Sequence, residues 1–236
     1  MHIRSKSLFL KITYLSLFSI SLGYLEAAVV IYLRIEYCSN GFYFPLNNAV
    51  PSNVLLIEIF RELSTIAILL FVAILSTKKF IERFGNFLFI FALWDIFYYI
   101  FLKIILGWPA SLSDKDILFL IPVPWIAPVL APIIVSVTLI ILSMSIYYLI
   151  YKDPTFNNLS KMEWTFLSLG SFLIFFSFIS EYLFGKFENL DFMKNIINLK
   201  KIISIYNSNI LLWTIFMVGE LFLILVVILL LIRKKQ

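Results

Sequence analysis

The chain has 236 residues, 62% of them hydrophobic and 14% charged, with 19 Lys and Arg against 14 Asp and Glu for a formal net charge of +5. An average soluble domain is ~45–50% apolar and ~25% charged, so this balance excludes an ordinary soluble domain and points to an all-α polytopic membrane protein. One cysteine, Cys38, excludes an intrachain disulfide or a CxxC site, and one histidine, His2, leaves no ligand set for haem, zinc or copper, so no cofactor is expected; a carboxylate-only site for Mg²⁺, Mn²⁺ or Ca²⁺ is chemically allowed but no metal-ligand spacing is recognisable.

A span takes ~20 residues, which leaves room for about six spans and predicts a single integral membrane domain over residues 1–236. Arg4 and Lys6 precede a first span at about 8–33. This apolar run exceeds the ~7–15 residues of a signal-peptide core, and Glu26 stands where a small-residue cleavage motif would be, so a retained span is expected. Ser16, Ser19, Gly23 and Glu26 recur at spacings of three and four and share one helix face, where small side chains admit a close neighbour. The loop that follows holds the breakers Asn40-Gly41, Pro45 and Pro51, with Tyr37, Phe42, Tyr43 and Phe44 as expected interfacial anchors.

The second span, about 54–75, contains Ile57 to Thr65, Ile-Glu-Ile-Phe-Arg-Glu-Leu-Ser-Thr. Charges in hydrocarbon cost several kcal/mol each unless paired or facing a wet cavity, so Glu58, Arg61 and Glu62 require partners from other helices. Glu58 and Glu62 share a face at i, i+4, and Arg61 is expected to complete its guanidinium fork with Asp95 or Glu26. In the third span, about 84–106, Asp95, Tyr99 and Lys103 form a second polar stripe.

A short connection from Gly107-Trp108-Pro109 to Asp116 leads into an apolar run, 117–151, too long for one simple span and carrying Pro122, Pro124, Pro128 and Pro132. Proline removes a backbone donor and clashes with the preceding turn, which predicts a broken, re-entrant or interfacial segment near 118–125 before a fourth span at 125–151; a kinked long helix is the alternative. The prolines should face the polar cluster and not lipid. The fifth span, about 164–184, carries Glu181 near its end. Between 185 and 210, Met193, Ile196, Ile197 and Ile203 alternate with Lys194, Asn198, Lys200 and Lys201, which predicts an amphipathic surface helix. The sixth span, about 211–232, contains Glu220 and closes on Arg233-Lys234-Lys235. The halves show no internal repeat, which weighs against an inverted-repeat transporter.

With six spans, most of the basic residues, among them Arg4, Lys6, Lys11, Lys78, Lys79, Arg83, Lys152, Lys161 and Arg233 to Lys235, fall on one side, so both termini are expected on the cytoplasmic face of the cell membrane. Counted back at ~1.5 Å per residue, Glu26, Glu58, Glu62, Asp95, Glu181 and Glu220 all lie in the extracytoplasmic half of the bilayer, with Arg61 and Lys103 at compatible depth. Bland roles remain open, since Glu181 can reach the interface, Lys103 can snorkel outward and an Arg61 pair can simply join helices.

The shared polar zone predicts catalytic carboxylates at Glu58, Glu62, Asp95 and Glu26, with Arg61, Tyr99, Lys103 and Glu220 as ligand-binding residues. GxSxG, HExxH, GxxxxGK and GxGxxG motifs are absent, as is a surface for nucleic acid. The expected function is a membrane-embedded enzyme acting on a lipid or isoprenoid by acid/base chemistry, Arg61 holding an anionic headgroup. The alternatives are a binding or transport protein for a cation or proton-coupled small solute, and a structural subunit of a membrane complex. Membrane lipids and a small-molecule or lipid substrate are the expected partners.

Overall fold

The computed structural model describes residues 2–37, 51–153, 155–184 and 210–233. Its helices are α1 (His2–Tyr37), α2 (Ser52–Leu75), α3 (Phe80–Leu106), α4 (Leu130–Lys152), α5 (Lys161–Phe184) and α6 (Ile210–Ile232), with the strands β1 (Lys115–Phe119) and β2 (Trp125–Pro128) between α3 and α4. Five of them, α1, α3, α4, α5 and α6, contain stretches long and apolar enough to cross a membrane. The chain is a mostly helical, membrane-type protein. The expected anchors Phe42, Tyr43 and Phe44 and the expected surface helix over 185–210 lie outside the described residues, apart from Ile210, which opens α6.

α2 has the length of a span, 24 residues, but carries Glu58, Arg61 and Glu62 in its first half. Its exposed residues include Leu56, Ile57, Phe60, Leu63, Ile68, Leu70 and Phe71, whereas Glu62 and Thr65 are buried. A polar face turned inward and an apolar face turned outward is the reverse of a soluble amphipathic helix, and suits an apolar solvent.

Local signals in the chain set the helix ends. α3 stops at Gly107, whose φ of 69° is left-handed backbone that glycine adopts without strain and whose N–H donates to the Lys103 carbonyl at 3.0 Å. At the start of α5, the Glu163 N–H donates to Ser160 Oγ at 3.2 Å and the Ser160 N–H to Glu163 Oε2 at 2.6 Å, a capping box. Arg233, just past α6, donates to the same Glu163 carboxylate at 2.7 Å, tying the two chain ends of this helix pair together.

α3 packs against α1, α2 and α4, while α6 packs against α4 and α5. Two crossings need glycine. A Cβ on Gly23 of α1 would sit 2.9 Å from the Trp94 carbonyl oxygen of α3, and one on Gly170 of α5 would sit 2.8 Å from the Gly219 carbonyl oxygen of α6. Such contact lets backbones approach where lipid supplies no hydrophobic drive for helix association.

The proline-rich segment is an antiparallel hairpin, in which Lys115 pairs with Pro128, Asp116 with Ala127 and Ile117 with Ile126, with an irregularity before Phe119 meets Trp125. Strand pairing gives partners to backbone groups that a proline-broken helix would strand in an apolar interior. α4 therefore begins at Leu130 and not at 125. Pro124, Pro128 and Pro132 are buried, but of the four prolines expected against the polar cluster only Pro132 lines the cavity described below, and Pro122 is exposed at the hairpin turn. Two further bonds, Val129 N–H to the Asp114 carbonyl and Leu130 N–H to the Leu112 carbonyl, both 2.9 Å, close its base onto α4.

Candidate site: a charged cavity closed by the hairpin

α1 continues to Tyr37, so Arg34 lies on a helix and not in the loop where the sequence boundaries placed it. Two turns after Glu26, it turns into the bundle and donates to Asp116 Oδ1 at 3.2 Å, its guanidinium 3.9 Å from the centre of the Trp108 ring. Asp116 is 3% exposed, and its other oxygen accepts the Tyr99 hydroxyl at 3.0 Å. This one carboxylate thus ties β1 to α1 and α3. Burial pushes the Asp116 carboxyl above its ordinary range, against the pull of Arg34 and of the Tyr99 hydroxyl.

The charges of α2 meet the same region. Arg61 Nε donates to Glu58 Oε2 at 2.7 Å, and Arg61 Nη1 forms an ion pair with Glu26 Oε1 of α1. Glu26 Oε2 accepts the Thr65 hydroxyl at 3.1 Å. Of the two partners expected for Arg61 across the bundle, Glu26 is the one engaged. Asp95 instead accepts the Ser136 hydroxyl of α4 at 2.8 Å. Glu62, 7% exposed, accepts the Leu120 N–H at 2.8 Å, a second tether between the helices and the hairpin segment.

Around these groups lies a cavity of about 520 Å³. Glu26, Arg34, Glu58, Arg61, Glu62, Asp95, Tyr98, Tyr99 and Asp116 contribute its polar lining, and Phe87, Leu88, Phe91, Leu139, Ile174, Phe175, Phe178 and Leu223 much of its apolar lining. A row of rings runs along it, with centroids 6.3 Å apart from Trp94 to Phe119, 5.2 Å from Phe119 to Trp125 and 4.9 Å from Trp125 to Phe175. Among the described residues, no three His, Cys, Asp or Glu side chains converge so as to hold a metal ion. No protein-family model, no curated protein and no solved structure matches the chain.

Six of the eight residues expected from the sequence, Glu26, Glu58, Arg61, Glu62, Asp95 and Tyr99, line this one cavity. Lys103 and Glu220 do not. Lys103 donates to the Gly107 and Pro109 carbonyls at 3.2 and 2.7 Å, on the turn after α3 and one helical turn beyond the Tyr99 level. Glu220 is 2% exposed and accepts the Thr138 hydroxyl of α4 at 2.8 Å, joining α4 to α6. The side chain of Glu181 lies outside the described residues. Sequence reasoning missed Arg34, Asp116, Tyr98 and the aromatic row. The eight-residue spacing of Glu26 and Arg34 would put them near one face of a helix carried past residue 33, and was the signal that could have found Arg34.

A cavity lined by carboxyl groups and also by rings and aliphatic chains can hold an amphiphile and place its polar end against groups that exchange protons. Arg61 already has two of its three nitrogens engaged by Glu58 and Glu26. Glu62 and Asp95 accept only from neutral donors in the bonds described above.

Proposed function

We propose that the chain crosses the cell membrane six times with both termini cytoplasmic, and that its cavity is the site of a membrane-embedded enzyme acting on a lipid or isoprenoid by acid/base chemistry. The observation that carries this reading is one cavity lined both by an apolar wall and by Glu62 and Asp95, carboxyl groups that form no ion pair with either arginine among the described residues. The inward charges and outward Leu, Ile and Phe of α2 support counting it as the sixth span.

The chemistry suited to two such groups is a proton relay. The carboxylate of one takes a proton from a substrate carbon while the acid form of the other delivers a proton to another carbon of the same substrate, and the double bond moves between them. One C–H bond breaks and one forms, so no oxidant, reductant or co-reactant is required.

Incubation of the full chain with membrane lipid extract in deuterated water tests this without knowledge of the substrate. Deuterium should enter one lipid or isoprenoid species with the wild-type protein, and incorporation should fall by about 10²-fold or more in Glu62→Gln or Asp95→Asn. The acid excess of the cavity also favours a second reading, binding or transport of a cation or proton-coupled solute. Absence of exchange together with solute uptake driven by a pH gradient in proteoliposomes would replace the enzyme by that carrier.

A further inference from the structure

The charges around the cavity do not balance. Five carboxyl groups, Glu26, Glu58, Glu62, Asp95 and Asp116, share its wall with two guanidinium groups, Arg34 and Arg61. Both cations are committed, Arg34 to Asp116 and Arg61 to Glu26 and Glu58. A phosphate or carboxylate head would therefore meet no uncommitted guanidinium, and would bring a further negative charge beside Glu62 and Asp95. In a poorly screened site, like charges are strongly disfavoured and a single cation is favoured. The carboxyl groups do not converge as a metal-binding set among the described residues, and the remaining wall is aromatic and aliphatic. An organic cation with an apolar tail meets both conditions. Its N–H groups can donate to the carboxyl oxygens of Glu62 and Asp95, and the Trp94, Phe119 and Trp125 rings offer cation–π faces and a slot for the tail.

We propose that the cavity takes a long-chain amine, an amphiphile with an ammonium head, and that Glu62 and Asp95 are the residues that select it. This rests on the cavity being the substrate site, as proposed above, and replaces the anionic headgroup that Arg61 suggests from sequence alone.

The test uses the full chain in phosphatidylcholine nanodiscs and three probes of equal chain length, 11-bromoundecylamine, 11-bromoundecanol and 11-bromoundecyl phosphate, with quenching of tryptophan fluorescence by the bromine as the readout. The amine should quench saturably and bind at least about tenfold more tightly than the alcohol, and the phosphate more weakly than either. Glu62→Gln and Asp95→Asn should each remove most of the preference for amine over alcohol, the amine losing far more affinity than the alcohol while both still saturate, a result that loss of folding would not give. Filling the apolar wall with Leu139→Phe, or with Val135→Phe should the first variant not fold, should weaken all three probes.

Saturable binding of the alcohol or the phosphate as tight as that of the amine, or an amine preference that survives both charge variants, would overturn the ammonium assignment and leave the cavity as a binding site. Quenching that does not saturate for any probe, or that is indifferent to the cavity-filling variants, would overturn both.

Discussion

Arg61→Ala should be among the most damaging single substitutions in the chain. The guanidinium joins α2 to α1 through Glu26 and holds Glu58 of its own helix, so its removal strands two carboxylates in the bundle. Breaking a buried pair by deleting one partner costs ~3–5 kcal/mol, a large share of the ~5–15 kcal/mol that stabilises a folded domain. Arg61→Lys should recover only part of this loss, because a single ammonium cannot reproduce the planar fork that reaches Glu58 through Nε and Glu26 through Nη1. Thermal unfolding in detergent, followed by the loss of monodisperse protein, should rank the chain as wild type, then Arg61→Lys, then Arg61→Ala. The exchange Arg61→Glu with Glu26→Arg should be more stable than either single change. Equal stability of wild type and Arg61→Ala would show that Glu26 and Glu58 reach solvent independently and that the polar cluster is not one unit.

Asp116→Ala should have a comparable effect, concentrated on the hairpin. Asp116 is the acceptor for both Arg34 of α1 and Tyr99 of α3, so truncation leaves a guanidinium and a buried hydroxyl without it and removes the anchor of β1. The expected cost is again ~3–5 kcal/mol. Asp116→Asn retains an acceptor for Tyr99 but not the charge for Arg34, and should fall between. Hydrogen exchange checks this, with the amides of Lys115–Phe119 and of Trp125, Ile126 and Ala127 losing protection in Asp116→Ala while those of α5 and α6 change little. Uniform loss of protection over all elements, or none, would show that the hairpin is not held by this residue.

Much of the site was legible because charges inside apolar runs are costly wherever they occur. Glu58, Arg61 and Glu62 declared themselves by composition alone, and the rise per residue led to the expectation that Glu26 and Asp95 share their half of the bilayer. Depth does not fix rotation or neighbour identity, so it could not decide between Glu26 and Asp95 as the partner of Arg61, nor foresee that Ser136 of α4 would bond Asp95. Cutting spans at the ends of apolar runs assigned Arg34 and Asp116 to loops, although α1 continues past Arg34 and the hairpin carries Asp116 back into the bundle. The hairpin itself was hidden because strands of five and four residues within a long apolar run have no periodicity that separates them from a broken helix. The prolines marked the break but not the structure that fills it. Lys103 and Glu220 stand apart from the cavity, the first bonded to the turn after α3 and the second joining α6 to α4, because a count of rise per residue does not say to which side of the bundle a residue points.

Native mass spectrometry of the full chain, released from detergent without added lipid, tests most directly whether the cavity is a binding site for an amphiphile. The wild-type protein should carry one co-purifying amphiphile of a mass distinct from the detergent. That adduct should be absent from Leu139→Phe and Val135→Phe and retained in Lys103→Ala, whose side chain lies outside the cavity lining. A wild-type chain with no adduct, or an adduct held equally by both cavity-filling variants, would contradict the account.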